Sequence, residues 1–377
     1  MRFAILSRKS SEPGVSVLMR NEGGFIAERR PGERGLAHLI EHVAFHSPTL
    51  TAAGDYDHLR RIGVPLTLPA PNAGSTSWRE TNYYLSTRTT ASSGIDAIRG
   101  LYQRLYRPEN MTVVIVGDVK PDEMKALIAK RFGNWRREPT ASRPAPFPMF
   151  ERARIRPLSF SAMAEGRRTA LMTVVLPTPA PATSRARQAR SDLMDLTVIR
   201  AINNRLAALQ PASRPGKVGM LIDDGEQGQR QILLWDNFDT GDWRPAIAGL
   251  RRVTCDLTAF GFTTAEWDEA ERAVTADLER RAADMAKVSN VDLAKDLSHA
   301  LVDGRYPMSA ASMLRHVRRW LPRMDHPSGT SWWRRQWGGG VQHLRVETPA
   351  LADTPDPLGE IRRAAAQANV LHGCAKL

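Results

Sequence analysis

The pentapeptide His38-Leu-Ile-Glu-His42 constrains this chain more than any other feature, because its two histidines are four residues apart. On an α-helix that spacing places both imidazoles about one turn apart on one face, where they can reach a single metal ion. Glu41 shares this face, so its carboxylate can hold and deprotonate a water molecule without binding the metal. We therefore predict a helix over residues 35–46 that carries the H-x-x-E-H motif of a zinc peptidase, although two histidines do not complete a zinc site.

The composition is that of a globular chain that can form a large core. A length of 377 residues suggests two domains, and the hydrophobic share of 42% and charged share of 25% are ordinary for such proteins. The formal net charge of +13 would suit nucleic acid or an acidic surface as partner. The basic residues are dispersed and contain no nucleic-acid motif, so we favour the codon bias of a GC-rich genome and predict no nucleic-acid partner.

Cysteine content and hydropathy indicate neither a disulfide framework nor a membrane span. Cys255 and Cys374 are far apart and lack C-x-x-C spacing, which also argues against a cysteine zinc site. No apolar run approaches the ~18 residues that a membrane span needs. The N-terminus has no cleavage-site pattern of a signal peptide, so the sequence predicts a cytoplasmic location, with an absent upstream export segment as the alternative.

Hydrophobic periodicity predicts an α+β chain in which one order of strands and helices occurs twice. The predicted strands are 2–7, 15–20, 75–87, 111–116, 169–176, 217–222 and 231–236. The predicted helices are 35–46, 51–62, 93–106, 122–132 (with Asp122 as its cap), 184–209, 243–260, 264–287 and 289–303. We expect a motif-bearing domain at 1–140, a Pro/Arg-rich linker at 141–157, a second domain at 158–325 and a closing segment or linker at 326–377.

Several blocks of the first half occur in the order found in one peptidase family. They are 34–45, 72–77 with 81–84, 106–111 and 114–119, and looser matches follow at 203–206 and 261–266. On these blocks the chain resembles the pitrilysin/insulinase family of zinc metallopeptidases, the inverzincins, and most closely the N-terminal half of bacterial periplasmic-type members. These relatives would place the protein in the periplasm if the N-terminus is incomplete.

The resemblance implies a fold, a cofactor and roles for five residues. The fold would be two similar metallohydrolase-type domains, each a mainly antiparallel sheet covered by helices. His38 and His42 would bind Zn²⁺, and Glu41 would be the general base. Asn72 and Ala73 would belong to an edge strand that pairs with the backbone of an extended peptide substrate. The implied activity is hydrolysis of peptide bonds in extended polypeptides.

The chain departs from the family where the third zinc ligand is expected. In the family a second glutamate, on a helix with an E-R-x-x-V-x-x-E pattern, completes the zinc site, and no such pattern occurs here. Residues 84–90 are followed almost directly by 95–106, which indicates an internal deletion. Neither Glu80 nor Asp118 matches the missing ligand. The alternative function is therefore a catalytically impaired subunit that binds peptide or scaffolds an active partner.

Active family members enclose substrate between two halves, and the half without zinc supplies an arginine and a tyrosine. Arg305 and Tyr306 are adjacent instead of spaced, so we interpret them as part of a loop. We therefore expect a second family half or a dimer partner. We expect His46 to pack at a helix end. His58 is expected at an exposed helix position, with a supporting role at the site as the alternative. We expect Trp332, Trp333 and Trp337 to pack in the core or at an interface, instead of forming a nucleic-acid or carbohydrate platform.

Overall fold

A computed structural model describes residues 2–8, 15–30, 32–44, 74–84, 108–135, 159–164, 168–209, 218–224, 229–239 and 242–371. The chain divides into two compact units. The first contains residues 1–147 and 284–307, and the second contains residues 148–283 and 308–377. Several residues and segments singled out from the sequence lie outside the described residues, namely Asn72, Ala73, His46, His58, the helices predicted at 51–62 and 93–106, and the segment 141–157.

The described residues form ten strands and nine helices longer than one turn. The strands are β1 Arg2–Ser7, β2 Val15–Asn21, β3 Gly74–Thr76, β4 Thr81–Tyr84, β5 Met111–Gly117, β6 Ser159–Met163, β7 Thr169–Pro177, β8 Val218–Asp224, β9 Gln229–Asn237 and β10 Val341–Glu347. The helices are α1 Leu36–Ala44, α2 Pro121–Phe132, α3 Arg185–Ala208, α4 Arg244–Ala259, α5 Thr264–Ala283, α6 Asn290–Val302, α7 Ala310–Trp320, α8 His326–Gly338 and α9 Pro357–Leu371.

The two units share one sheet topology. The first sheet has the order β1-β5-β2-β4-β3 and the second the order β6-β10-β7-β9-β8. In each sheet the first strand pairs in parallel with the last one, and the other neighbours are antiparallel. This identity of order and direction confirms the predicted α+β fold of two similar domains, although the sequence shows no clear repeat.

Helices cover both faces of the first sheet. On one face Val113 and Ile115 of β5 pack against Ile128 of α2. On the other face Leu18 and Val114 form a cluster with Ala294 of α6. β5 is buried along its whole length, as its continuous apolar sequence predicts for a central strand. A helix from residues 284–307 therefore completes the unit that carries the H-x-x-E-H motif.

The second unit has a large core between its sheet and the surrounding helices. Trp267 and Trp333 are among its largest fully buried side chains, and Trp332 and Trp337 are also buried. Trp333 stacks on Trp337 with ring centroids 4.7 Å apart. Their burial confirms the interpretation of residues 332, 333 and 337 as packing residues. Cys255 of α4 is disulfide-bonded, which corrects the expectation from spacing, since contact in the fold does not depend on sequence separation.

The connection before the last strand differs in length between the units. Residues 85–110 link β4 to β5, whereas residues 238–340 link β9 to β10 and contain α4 to α8. Because the two units otherwise share their strand order, this difference supports the internal shortening inferred from the sequence.

Within the described residues no helix is long and apolar enough to cross a membrane.

Three predictions from the sequence differ from the structure. The strand predicted at 75–87 is a hairpin of β3 and β4, because the Ser77 hydroxyl accepts hydrogen bonds from the N–H groups of Arg79 and Glu80 and turns the chain. The cap expected from Asp122 is absent: α2 starts with Pro121 after Lys120, and Asp122 lies in its first turn. Residues 326–377, expected to close the chain, contain β10, an interior strand of the second sheet.

Candidate active site on α1 and the edge strand

The motif helix α1 lies against β3, the edge strand of the first sheet, through the Glu41 carboxylate. Thr76 Oγ1 donates a hydrogen bond of 2.6 Å to Glu41 Oε2, and only 6% of Glu41 is exposed. A Cβ atom at position 74 would collide with the same carboxylate, so any larger residue there would force the carboxylate to move. Glu41 is thus fixed between the helix and the edge strand by a donor and a glycine of that strand.

The start of α1 is fixed by a second carboxylate. Glu28 accepts hydrogen bonds from the backbone N–H groups of Gly35 and Ala37, both 2.8 Å long. These N–H groups have no partner inside the helix, and a negative charge there also complements the helix dipole. Gly35 has φ +84°, which favours glycine immediately before the helix. The three side chains of the motif therefore start from a rigidly capped helix.

The structure describes the side chain of His38 but only the backbone of His42. His38 is exposed on α1, and its ring meets the ring of Phe25 edge to face with centroids 6.5 Å apart. Phe25 also meets Trp78 of the β3–β4 turn, and 49% of Trp78 is exposed. The backbone of His42 belongs to α1, whereas its side chain lies outside the described part. A small aromatic surface thus borders the helix face that presents His38.

A charged cluster anchors the β3–β4 hairpin to α6. Arg20 is 1% exposed and contacts Glu22 and Glu80, each at 3.0 Å. Glu80 also lies 3.6 Å from His299 of α6. Burial alone would raise the pKa of Glu80, but the hydrogen bond to His299 and the charge of Arg20 outweigh it and hold this pKa below its ordinary value. Arg79 extends the link by pairing with Asp303 after α6.

Glu80→Gln is expected to destabilise the first unit by about 3 kcal/mol at neutral pH, because it leaves the buried Arg20 short of a countercharge. The lowered pKa means that the carboxylate stabilises the fold above the ordinary glutamate pKa of about 4.3, and that this contribution is lost as the pH falls through the native pKa. Urea unfolding of both proteins at pH 7 and about pH 4 should show the difference shrinking with acidity. Asp242→Asn, in a half-exposed pair with Arg244, should cost under about 0.5 kcal/mol. A pH-independent difference would contradict the assignment.

The described residues supply a histidine and the glutamate of a zinc peptidase site, but not a complete set of zinc ligands. Helix α1 carries one histidine side chain in view and the glutamate, whereas no group of three potential metal ligands occurs among the residues described. Glu80 is engaged with Arg20 and His299, and Asp118 is exposed in the turn after β5. Neither therefore lies in a ligand group with His38. Arg305 and Tyr306 lie in the irregular segment after Gly304, as interpreted from their spacing.

Sequence reasoning missed the residues that hold the motif in place. Thr76 and Gly74 occur in a recognised block, but their contact with Glu41 depends on the hairpin that the sequence did not reveal. Glu28 precedes α1 by several residues, and its capping role depends on the loop between them. One signal was available: an acidic residue before a helix is often a cap.

Comparisons with known proteins agree with this fold. Residues 94–198 match the sequence model of the Peptidase M16 inactive domain. No curated protein sequence matches the chain. The periplasmic protease PqqL from Escherichia coli superposes with a TM-score of 0.77 at 14% identity, covering 96% of this chain and 49% of PqqL. The chain therefore spans about half the length of that protease.

Two shorter structures match over nearly their whole length. The first half of PqqL from Escherichia coli gives a TM-score of 0.77 at 15% identity and covers 100% of this chain and 95% of its own. A protein from Yersinia pestis, described as a predicted insulinase family protease, gives a TM-score of 0.73 at 15% identity. The match covers 98% of this chain and 94% of the Yersinia pestis protein. The two-unit fold of this chain is thus that of one half of such proteases.

Proposed function

Because this chain is a member of the pitrilysin/insulinase family, we propose that it is a zinc-dependent peptidase that hydrolyses extended polypeptides. The observation that carries the proposal is the hydrogen bond between Glu41 of α1 and Thr76 of β3. It places the carboxylate of the motif directly beside a sheet edge. A polypeptide paired with that edge as an added strand would present its backbone to Glu41.

Each residue of the site has a distinct task in this proposal. β3 is the terminal strand of its sheet among the described residues, so its outer edge is the place where a substrate strand would pair, with Asn72 and Ala73 just before it in the sequence. Thr76 and Gly74 orient the Glu41 carboxylate, which takes a proton from the attacking water and returns it to the leaving amine. Backbone pairing binds many sequences, so we expect broad specificity.

The ligand types on α1 suit zinc, although the set in view is incomplete. His38 and His42 would hold the ion, since imidazoles one helical turn apart are ligands that zinc prefers. When bound, zinc would supply Lewis acidity that polarises the scissile carbonyl and acidifies water. The proposal therefore requires a further ligand from residues outside the described part or from a partner chain.

The second candidate is a family subunit that binds peptide without hydrolysing it. Two observations favour it: the matched family model is that of the inactive domain, and the described residues hold no three-ligand group. In this case β3 would still pair with extended polypeptide, and the chain would support an active partner. A second family half or another copy of this chain would then provide the chemistry.

Cleavage of an unstructured fluorogenic peptide separates these candidates. The full chain with zinc should cleave it, and a chelator should stop cleavage and readdition of zinc restore it. Peptide binding without any cleavage, at saturating zinc and with no partner present, would refute hydrolysis by this chain and leave the second candidate.

Thr76→Val is expected to cost about 2 kcal/mol of stability, because the buried Glu41 carboxylate loses its hydroxyl donor while side-chain size is nearly conserved. It should also lower kcat more than it changes KM, since the Thr76 side chain orients the base, whereas backbone pairing along β3 does not depend on that hydroxyl. Thr76→Ser retains the donor and should recover most of the stability and of kcat. Thermal unfolding would measure the stability of both variants, and steady-state cleavage would measure their kcat and KM. Equal stability and equal kcat of the valine and serine variants would contradict the positioning role of Thr76.

A further inference from the structure

Exposed arginines of the second unit gather around one tryptophan. The guanidinium carbons of Arg190, Arg319 and Arg323 lie 5.4, 5.2 and 5.9 Å from the ring centroid of Trp320. Because Arg190 belongs to α3 and Trp320 ends α7, these two helices meet at one surface. The arginine patch comprises the exposed side chains of Arg187, Arg190, Arg315, Arg318, Arg319 and Arg323.

The arginines of the patch are not paired with carboxylates in the part of the chain that the structure describes. Across the described part of the chain, none of its six members forms an ion pair. Other arginines of the same unit do find carboxylates: Arg205 pairs with Glu266, and Arg280 and Arg281 both pair with Asp277. The unpaired clustering is therefore a property of this surface and not of arginine-rich composition alone.

The position of two members makes the charge unfavourable for the isolated unit. Arg187 and Arg190 lie in the first two turns of α3, and no acidic residue occupies its first turn. The N-terminal end of a helix dipole is positive and disfavours cations. Mutual repulsion among the six guanidinium groups adds to this cost. A partner that supplies negative charge would relieve both terms.

We propose that the arginine patch binds an acidic segment of a polypeptide. Guanidinium groups form bidentate pairs with carboxylates. Arg315 and Arg319 are four residues apart on α7, about 6 Å along its axis. That spacing approaches the ~6.7 Å between same-side residues of an extended chain, so alternate acidic residues of a strand can follow the helix.

The surroundings of Trp320 disfavour the other polyanions. The indole is partly buried and packs on the core of the unit, so it does not project as a membrane-inserting anchor would. Three guanidinium groups lie over its ring, which leaves little open aromatic surface for a nucleic-acid base to stack on. The patch thus offers charge-assisted hydrogen bonds without a stacking or inserting group, which suits carboxylates.

Charge reversal at matched sites tests the proposal. The probe is a labelled peptide of alternating glutamate and serine, and its affinity for the full chain is measured by fluorescence anisotropy at low ionic strength with chelator present. Arg318→Glu with Arg319→Glu should weaken binding at least about tenfold. Arg280→Glu with Arg281→Glu carries the same charge change elsewhere on the unit and should alter affinity by less than about threefold. Because hydrolysis is blocked, the result does not depend on the proposed peptidase activity.

A second pair of substitutions separates binding from folding. Arg187→Glu with Arg190→Glu should also weaken peptide binding, yet raise the melting temperature, since it places acidic residues near the start of α3. Equal weakening by the patch variants and the control pair would overturn the proposal, because it would show an effect of net charge. Tighter patch-dependent binding to single-stranded DNA or to phosphatidylserine vesicles than to the peptide would overturn it as well.

Discussion

Glu41→Gln is expected to lower kcat for peptide hydrolysis about a thousandfold, because an amide cannot take a proton from water. The fold should survive the change. Glutamine has nearly the same size, fits beside Gly74, and its amide oxygen can accept the hydrogen bond that Thr76 donates. Peptide affinity should stay within about twofold, since β3 would bind the substrate backbone without this carboxylate.

Single-turnover cleavage of a fluorogenic peptide, with binding measured in parallel by anisotropy, checks this expectation. The matched control is Glu123→Gln, which removes the same charge from an exposed position of α2 in the same unit. Its kcat should equal that of the wild type. Cleavage that persists at the wild-type rate in Glu41→Gln would show that this glutamate is not the base.

Trp333→Ala is expected to destabilise the second unit by about 4 kcal/mol, the largest effect on stability that we anticipate. Trp333 is 0% exposed, stacks on Trp337 and donates from Nε1 to Thr258 Oγ1 at 3.2 Å. Truncation would open a cavity between α8 and α4, remove an aromatic pair and leave the hydroxyl without this donor.

Urea unfolding monitored by circular dichroism measures this loss. Phe260→Ala provides the control, because Phe260 is an aromatic residue of the same unit that is 83% exposed, and its removal should change stability by less than about 0.5 kcal/mol. A Trp333→Ala protein as stable as the Phe260→Ala protein would mean that Trp333 does not pack as described.

Local pattern was sufficient for most of the fold. The apolar run at 111–116 predicted a buried strand, and β5 is buried throughout. The helix predicted at 184–209 is α3, which begins after Ser184, whose side chain accepts a hydrogen bond from the Arg187 N–H. The hydrophobic pattern did not predict the structure where the pairing of strands decides it. The hairpin of β3 and β4 arises from a short serine turn, and β10 acquires its place only through β6 and β7 on either side.

The helix that carries the motif was predictable from the sequence, whereas the contacts that hold this helix in place were not. The spacing of His38, Glu41 and His42 requires only a helix, so the sequence could assign it. Thr76 and Glu28 hold that helix through contacts across loops, and His299 reaches Glu80 from a helix more than two hundred residues later in the chain. Tertiary contacts of this kind leave no periodic signal in a single sequence.

Zinc content tests the central claim most directly. The full chain, dialysed against excess zinc and then against metal-free buffer, should retain about one zinc ion per chain by elemental analysis. A variant with His38→Ala and His42→Ala should retain none, while folding normally by circular dichroism. A wild-type chain that retains no zinc, or a double variant that retains as much as the wild type, would contradict the account of α1 as a zinc-peptidase helix.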